Sequence, residues 1–169
     1  MRHENWQEFY ERRVNSTYQD YFNQRYLHMI SLIKSLRTDN TIYELGCGIG
    51  SISKAVGGNF SGIDIDPRMV KLANINTDSN NFKQGSIFDF EYPQDVLKVS
   101  HGVLEHFNDD DIKMICENCP HSIHYVPLDK YVTPSFGDER LLPKEHWLEL
   151  VEPKAWLTIN DDHDLIFIL

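Results

Sequence analysis

Apolar and polar positions follow two different periods along the chain, and each period predicts one kind of element. In the first 40 residues, apolar side chains recur at helical spacing over His3–Val14 and over a longer stretch that ends at Leu36, so two amphipathic helices are expected. From Thr41 onward, short apolar runs alternate with amphipathic segments. This order predicts an α/β, doubly wound fold: a mostly parallel sheet of about seven strands with helices on both faces.

The same patterns define the individual elements. The first strand contains Ile42, Tyr43 and Leu45, and further strands are predicted at Phe60–Asp64, Phe82–Gln84, Asp95–Ser100, Ser122–Val126, Ala155–Ile159 and Leu165–Leu169. Helices are predicted along a stripe from Tyr18 to Leu36 and at Ser51–Val56, Arg68–Ala73, Asp109–Glu117 and Glu145–Val151, with a polar loop at Asn74–Asn81. The last strand is apolar at every position, which indicates a strand that is covered on both faces. The polar turn Asn160–Asp164 before it predicts a hairpin, so this strand is expected to be antiparallel.

A glycine-rich turn follows the first strand directly. Gly46, Gly48 and Gly50 alternate there, and the missing side chains allow a ligand to approach the backbone closely. The third glycine comes one residue earlier than in the dinucleotide-binding spacing Gly-x-Gly-x-x-Gly. Glu44, two residues before the first glycine, is placed to receive an ammonium group, and Asp64, at the end of the second strand, is placed to bind ribose hydroxyls. Together they predict a site for a nucleoside that carries an amino acid.

Four segments resemble the motifs of the class I S-adenosylmethionine-dependent methyltransferases, in the order that this family has them. They are ELGCGIG at 44–50, GIDIDPRMV at 62–70, FKQGSIFDF at 82–90 and VSHGVLEHF at 99–107. The resemblance implies a Rossmann-like fold, S-adenosylmethionine as cofactor and transfer of its methyl group by in-line displacement. The cofactor-binding residues that it implies are Glu44, Gly46, Cys47, Gly48, Gly50, Asp64, Ile65, Ser86, Ile87 and Ser100.

One position departs from the family. Members often carry an acid after the glycine of the third motif, where it accepts a hydrogen bond from the adenine amino group, and this chain has Ser86 there. A serine hydroxyl accepts such a bond more weakly than a carboxylate, so lower cofactor affinity is expected. Ile87 can still offer its backbone amide, and Asp89 could compensate if the turn is tight.

The catalytic candidate is His101, which follows the fourth strand where, by resemblance, the acceptor and the methyl group meet. An imidazole suits a general base at neutral pH, although a mere backbone contact at this position is an equal alternative. Glu105 and His106 belong to a helical turn after it, and this segment recurs in members with unrelated acceptors.

The candidate acceptor pocket draws on two variable regions. Helices ahead of the first strand often close over the cofactor in this family, and the long connection Pro127–Pro143 has the length of a lid or binding loop. Packing of these aromatic residues on the core is the alternative for both regions. The candidate residues are Tyr10, Tyr18, Tyr21 and Arg25 from the first region, Tyr131 and Phe136 from the second, and His106 from the turn after His101.

Length and charge limit the function classes. The 169 residues are expected to form a single domain, with residues 1–40 as a helical cap and residues 41–169 as the core. A net charge of −10 disfavours nucleic acid as a partner and favours a small-molecule acceptor. The chain has no apolar run long enough for a membrane span and begins with a polar segment, so a cytoplasmic protein without a membrane association is expected.

No metal site is expected from the cysteines and histidines. Cys116 and Cys119 have the spacing of half a zinc site, but no second pair lies nearby. Small-RNA 2′-O-methyltransferases carry a metal-binding version of the turn at Glu105, with a further glutamate at the position of Gly102. The absence of that glutamate and the acidic charge argue against this alternative.

Two functions from other classes stay open beside methyl transfer to an oxygen or nitrogen. The chain could bind the cofactor without catalysis, as a regulator or partner subunit, or it could cleave the cofactor as a lyase or hydrolase. Turnover of labelled cofactor separates a binding protein from an enzyme. The form of the product identifies a lyase or hydrolase, because methyl transfer leaves the homocysteine form and cleavage does not.

Overall fold

The structure is a computed structural model that describes residues 10–133 and 138–169. The chain divides into two compact units, one of residues 2–99 and one of residues 100–169. The strand order of the sheet is β3-β2-β1-β4-β5-β7-β6. β1 pairs in parallel with β2, and β2 with β3, whereas β7 is antiparallel to both β5 and β6. The predicted seven-stranded, mostly parallel α/β fold with an antiparallel last strand is confirmed.

The first unit contains most of the parallel sheet. Its helices are α1 (Ser16–Arg25), α2 (Leu27–Leu36), α3 (Ser51–Val56) and α4 (Pro67–Thr77). Its strands are β1 (Thr41–Leu45), β2 (Asn59–Asp64) and β3 (Phe82–Gln84), and a 3₁₀ turn follows at Ile87–Asp89. β4 (Leu97–His101) begins in this unit and ends in the second. Buried aliphatic side chains from α2, β1 and α3 form its core, among them Ile33, Ile42 and Ile52.

The second unit contains the antiparallel end of the sheet. Its elements are a 3₁₀ turn at Leu104–His106, α5 (Asp109–Asn118), β5 (Ser122–Pro127), α6 (Lys144–Val151), β6 (Ala155–Ile159) and β7 (Asp164–Ile168). Asn108 caps α5, because its side chain accepts from the backbone amide of Asp111 at 2.9 Å. Leu165, Ile166 and Phe167 are fully buried, which confirms the prediction that the last strand is covered on both faces.

The stripe from Tyr18 to Leu36 forms two helices and not the predicted single one. The chain leaves helical geometry at Tyr26 (φ −108°, ψ 23°), which ends α1 and precedes α2. No glycine or proline marks this break, so residue pattern alone could not reveal it. Leu36 is 39% exposed and lies outside the buried stripe of Phe22, Met29, Ile30 and Ile33.

The predicted loop Asn74–Asn81 was wrong in its first half, because α4 continues to Thr77. Asn76 is buried and donates to the carbonyl of Ile49 at 2.8 Å, while its own side-chain oxygen accepts from Lys54. These tertiary hydrogen bonds satisfy a polar residue within a helix, and Asp78, in the left-handed region, ends α4.

The predicted helix at His3–Val14 lies largely outside the described residues. Within its described part, Tyr10 and Glu11 are helical and residues 12–15 form turns. In the described parts of the chain we find no helix with the length and apolar character that a membrane span requires.

Candidate functional site

The glycine turn after β1 has an open space beside it. Gly48 has φ +51°, and a Cβ added there would meet no heavy atom within 4 Å. Gly50 is different, because its φ is +70° and an added Cβ would lie 3.1 Å from Thr77 and 3.3 Å from Phe82. Gly50 is therefore needed for packing, whereas Gly48 leaves room on the outer side of the turn.

Asp64 lies at the end of β2 and connects two turns. Its Oδ2 accepts from the backbone amide of Gly48 at 2.8 Å, and its Oδ1 accepts from the amide of Asp66 at 2.9 Å. The carboxylate is therefore held beside the space at Gly48. The next side chain, Ile65, is 65% exposed and presents an apolar surface at the same strand end.

Glu44 is buried at the end of β1, with 3% of its surface exposed. One carboxylate oxygen accepts from the hydroxyl of Ser53 at 2.5 Å and from the Ser53 amide at 3.2 Å. Burial raises the pKa of Glu44 to about 7, although the hydrogen bonds from Ser53 partly oppose this rise. A cation beside this carboxylate would favour its ionised form.

Cys47 is buried in the turn, and its thiol donates a weak hydrogen bond to the carbonyl of Gly48 at 3.8 Å. Its side chain is 4% exposed and its amide donates to the carbonyl of Ile63 at 2.8 Å. Burial, followed by the charges of Glu44 and Asp64, raises the pKa of the Cys47 thiol well above its usual value, so the thiol is neutral.

Ser86 caps the 3₁₀ turn at Ile87–Asp89. Its hydroxyl accepts from the amide of Phe88 at 3.2 Å, and Asp89 accepts from the amide of Ser86 at 3.1 Å. This reciprocal capping box gives the serine a structural role at the position where the family often has an acid. Asp89 is therefore engaged with the backbone of Ser86, and Ile87 is 8% exposed.

In the second unit, Ser100 belongs to a buried chain of hydrogen bonds. Its hydroxyl lies 2.7 Å from Nδ1 of His124, whose Nε2 lies 2.8 Å from the hydroxyl of Ser122. Burial lowers the pKa of His124 to about 3, so the imidazole is neutral. The side chain of Ser100 is therefore engaged in this buried chain of hydrogen bonds. No motif in the sequence indicates this cluster, although Ser122 and His124 are two apart on a strand and share a face.

His101, the catalytic candidate, ends β4 and stacks on Tyr125. The two ring centroids are 4.3 Å apart with an interplanar angle of 11°. Tyr125 is held in place, because its hydroxyl donates to Oδ1 of Asp164 at 2.7 Å. The imidazole plane of His101 is thus fixed by a side chain that is itself anchored.

The turn after His101 brings together a group of acidic and imidazole side chains. Glu105, at 2% exposure, His106 and Glu139 each offer a ligand atom, and these atoms all lie within 4.8 Å of one another. Nδ1 of His106 lies 3.0 Å from Oδ1 of Asp138. Burial, followed by the negative charges of Glu139, Asp138 and Asp164, raises the pKa of Glu105 well above its usual value. From the sequence no role was expected for Glu105, because its segment recurs in family members with unrelated acceptors.

The candidate acceptor residues fall into two groups. In the first unit, Tyr18 lies 6.3 Å from Tyr21 between ring centroids, and Gln19 of the same helix donates to the carbonyl of Ser51 at 3.1 Å. This bond places α1 against the end of the glycine turn. Tyr21 is 56% exposed, and the guanidinium of Arg25 lies 5.8 Å from the centroid of the Tyr26 ring.

The remaining candidates are Tyr131 and His106 in the second unit, Phe136, and Tyr10 in the first unit. Tyr131 packs edge-on against His163, at 5.1 Å between ring centroids, and His106 contacts Asp138. Phe136 lies outside the described residues. Tyr10 is half-buried in the first unit.

Comparison with known proteins gives a family and a fold. The profile of the methyltransferase domain family matches residues 42–123, which include the glycine turn, Asp64 and His101. Among curated protein sequences, no significant match was found.

Several solved structures share the fold at low sequence identity. The PH0226 protein from Pyrococcus horikoshii OT3 has a TM-score of 0.75 at 13% identity, with 95% of this chain and 97% of that chain covered. Magnesium protoporphyrin IX methyltransferase from Synechocystis PCC 6803, solved with bound S-adenosylhomocysteine, has a TM-score of 0.64 at 12% identity, covering 86% and 81%. The small RNA methyltransferase HEN1 has a TM-score of 0.68 at 16% identity, covering 86% of this chain and 25% of its own.

Proposed function

Because the chain belongs to the class I S-adenosylmethionine-dependent methyltransferase family, we propose that it transfers a methyl group to an oxygen or nitrogen of a small-molecule acceptor. Its cofactor is S-adenosylmethionine. The observation that carries the proposal is the bond between Gly48 and Asp64, since it holds a carboxylate beside an open, side-chain-free stretch of backbone.

The residues of the first unit fit the chemical groups of the cofactor one by one. Asp64 offers carboxylate oxygens of the kind that bind ribose hydroxyls, and the exposed face of Ile65 offers an apolar surface for adenine. Glu44, buried with a raised pKa, is suited to an ammonium group, because a nearby positive charge offsets the cost of ionising it. Ile87 and the backbone of the glycine turn complete the proposed contacts.

Bound S-adenosylmethionine supplies an already activated methyl group on a positively charged sulfur. The protein's task is then to align the acceptor and, where necessary, to remove a proton from it. We assign the second task to His101, whose imidazole Tyr125 holds in a fixed plane. A neutral imidazole at this position could accept the proton of an acceptor hydroxyl or amine as the nucleophile attacks.

A small-molecule acceptor is favoured by the charge of the chain. Its net charge of −10 opposes the approach of a polyanion, because binding nucleic acid relies on basic side chains that neutralise phosphates. The exposed Tyr21 on α1 and the bond from Gln19 to Ser51 put an aromatic surface on the helix beside the glycine turn. An aromatic surface of this kind suits an apolar or cationic organic acceptor.

The direct test measures which fraction of a cell extract receives a labelled methyl group. The protein is incubated with S-adenosylmethionine labelled in its methyl group and with a desalted macromolecular fraction or a low-molecular-weight fraction of a cell extract. We expect label to appear in the low-molecular-weight fraction, with S-adenosylhomocysteine formed in equal amount. Asp64→Ala is the inactive control, and Asp95→Ala, at an exposed loop position, is the matched control.

Other outcomes separate the alternatives. Label in RNA or protein would reject a small-molecule acceptor while leaving methyl transfer in place. A cleaved nucleoside without S-adenosylhomocysteine would indicate a lyase or hydrolase. Binding of the cofactor without any turnover in either fraction would favour a regulator or partner subunit.

A further inference from the structure

The acidic group around Glu105 has the composition of a metal site. Two carboxylates and one imidazole, from Glu105, His106 and Glu139, place their ligand atoms within 4.8 Å of one another. Carboxylate oxygens together with imidazole nitrogen suit divalent first-row transition ions such as Mn²⁺ and Zn²⁺. All three residues belong to the second unit.

Glu105 carries the second observation. Its side chain is 2% exposed, and its Oε2 has no hydrogen-bond partner among residues 10–133 and 138–169. A buried carboxylate oxygen without a partner is costly, so it indicates that a ligand supplies the missing contact. Gly102 keeps the space beside this group open, since a Cβ there would approach Oε1 of Glu105 to 3.3 Å.

Arg140 fixes the approach of Glu139 to this turn. Its backbone amide donates to the carbonyl of Glu105 at 2.9 Å, and its guanidinium donates to the carbonyl of Phe107 and to Oδ1 of Asp109, both at 2.6 Å. The residue next to Glu139 is therefore attached at three points to the segment that contains Glu105 and His106. The closeness of the carboxylates does not depend on one flexible side chain.

Asp138 holds one ring nitrogen of His106. Nδ1 lies 3.0 Å from Oδ1 of Asp138, an exposed carboxylate. In metal sites a carboxylate commonly holds one ring nitrogen of a histidine and so directs the other toward the ion. Asp138 would also add negative charge around a bound cation.

We propose that Glu105, His106 and Glu139 bind one divalent transition-metal ion of the Mn²⁺ or Zn²⁺ type, with Asp138 orienting the imidazole. Three protein ligands leave coordination positions open for water or for an oxygen of another molecule, as in catalytic metal sites. A role for these open positions in holding the methyl acceptor rests on the proposed function, whereas the binding of the ion does not.

Electron paramagnetic resonance of Mn²⁺ tests the site without reference to activity. The full chain, stripped with a chelator and titrated with Mn²⁺ in the absence of cofactor, is expected to bind one ion per chain. Spin-echo modulation from an imidazole nitrogen should be present in the wild type and absent in His106→Gln. Competition by Zn²⁺ for the same ion would support the site equally, because both cations suit this ligand set.

Variants identify the ligands. Glu105→Gln and Glu139→Gln should each weaken Mn²⁺ binding by about 100-fold or more, whereas Glu145→Gln, at a side chain that is 73% exposed, should leave it unchanged. Circular dichroism and thermal melting establish that each variant is folded. If Glu105→Gln disturbs folding because the residue is buried, Glu139→Gln still tests Mn²⁺ binding at the site.

The proposal is overturned if the folded wild type binds neither Mn²⁺ nor Zn²⁺ at millimolar concentration. It is also overturned if Glu139→Gln and His106→Gln bind the ion as tightly as the wild type. Failure of methyl transfer to any small molecule would contradict the proposed function but would leave a stoichiometric, imidazole-coordinated Mn²⁺ site intact.

Discussion

The backbone amide of Gly48 donates a 2.8 Å hydrogen bond to Oδ2 of Asp64, and this bond joins the turn after β1 to the end of β2. The acid that the sequence assigns to the ribose hydroxyls thus also fixes the shape of the glycine turn. Because the protein's own groups fix the turn, little ordering of the turn should oppose cofactor binding.

Gly48→Ala should reduce the affinity for the cofactor in a variant that still folds. The added methyl would occupy the open space beside Gly48 and would also strain a residue at φ +51°. We expect a loss of at least about tenfold in S-adenosylhomocysteine affinity, measured by calorimetry, with a stability cost of about 1 to 2 kcal/mol.

Gly57→Ala is the matched control for Gly48→Ala. Gly57 also has positive φ, +65°, and a Cβ there would meet nothing within 4 Å, but this residue ends α3 and has no proposed contact with the cofactor. The control should lose stability and keep its affinity. Equal affinities in the two folded variants would mean that the space beside Gly48 is not the cofactor site.

Cofactor affinity should rise with pH because of Glu44. Burial raises the pKa of this carboxyl to about 7, and an ammonium group bound beside it favours the ionised form. Below pH 7, binding must therefore release a proton from Glu44. We expect the affinity for S-adenosylhomocysteine to increase roughly 20-fold between about pH 5.5 and about pH 7.5, measured by calorimetry.

Glu44→Gln separates this effect from other titrations. The variant cannot ionise, so its affinity should be lower at pH 7.5 and nearly independent of pH over the same range. Calorimetry in two buffers with different ionisation enthalpies would count the released protons directly. A variant with the same pH dependence as the wild type would remove Glu44 from the ammonium site.

The buried His124 should make the free energy of unfolding depend on pH. Burial lowers its pKa from 6.5 to about 3. Below pH 6.5 this histidine is therefore protonated in the unfolded chain, whereas in the folded chain it becomes protonated only near pH 3. Stability is therefore fully present above pH 6.5 and falls as the pH drops. We expect this residue to account for about 2 kcal/mol of the loss in unfolding free energy between pH 7.5 and pH 5.

Urea unfolding of His124→Gln at both pH values measures this contribution. The variant should be less stable than the wild type at pH 7.5, because Ser100 and Ser122 lose their partner, but the gap should narrow at pH 5. His121→Gln, at an exposed residue, is the matched control. An unchanged gap between His124→Gln and the wild type would mean that His124 does not titrate as proposed.

His101→Phe tests the proposed base while keeping the stack on Tyr125. A phenyl ring can pack on Tyr125 as the imidazole does, at a similar ring separation, but cannot take a proton. With the acceptor identified by the labelling experiment, turnover should slow by roughly 100-fold, and S-adenosylhomocysteine affinity should change little. Normal turnover in this variant would reduce His101 to a packing residue, leaving catalysis to alignment.

Most of the sheet could be predicted from the sequence, because its strands are short apolar runs bounded by glycine, proline or polar residues. β3 and β6 have the predicted bounds, and β7 differs by one residue at each end. The failures came where tertiary contacts override local pattern. Asn76 reads as part of a loop, yet its buried hydrogen bonds extend α4, and the break at Tyr26 has no signal in the sequence.

The site could be predicted in part, for a related reason. Glu44, Gly48 and Asp64 are close in the chain to strand ends, and the carboxyl ends of adjacent parallel strands lie side by side. The hydroxyl of Ser86 was assigned to adenine, but capping of its own turn is a local demand that the motif does not reveal. Glu139 could not be linked to Glu105, because only the folded connection brings distant residues together.

Calorimetry of S-adenosylhomocysteine binding to the wild type, Asp64→Ala and Asp95→Ala tests the central claim most directly. The claim is that Asp64, anchored to Gly48, holds the cofactor. The account predicts stoichiometric binding to the wild type and to Asp95→Ala, and a loss of about 1.5 to 3 kcal/mol in binding free energy for a folded Asp64→Ala. Unchanged affinity in folded Asp64→Ala, or no binding to the wild type, would contradict it.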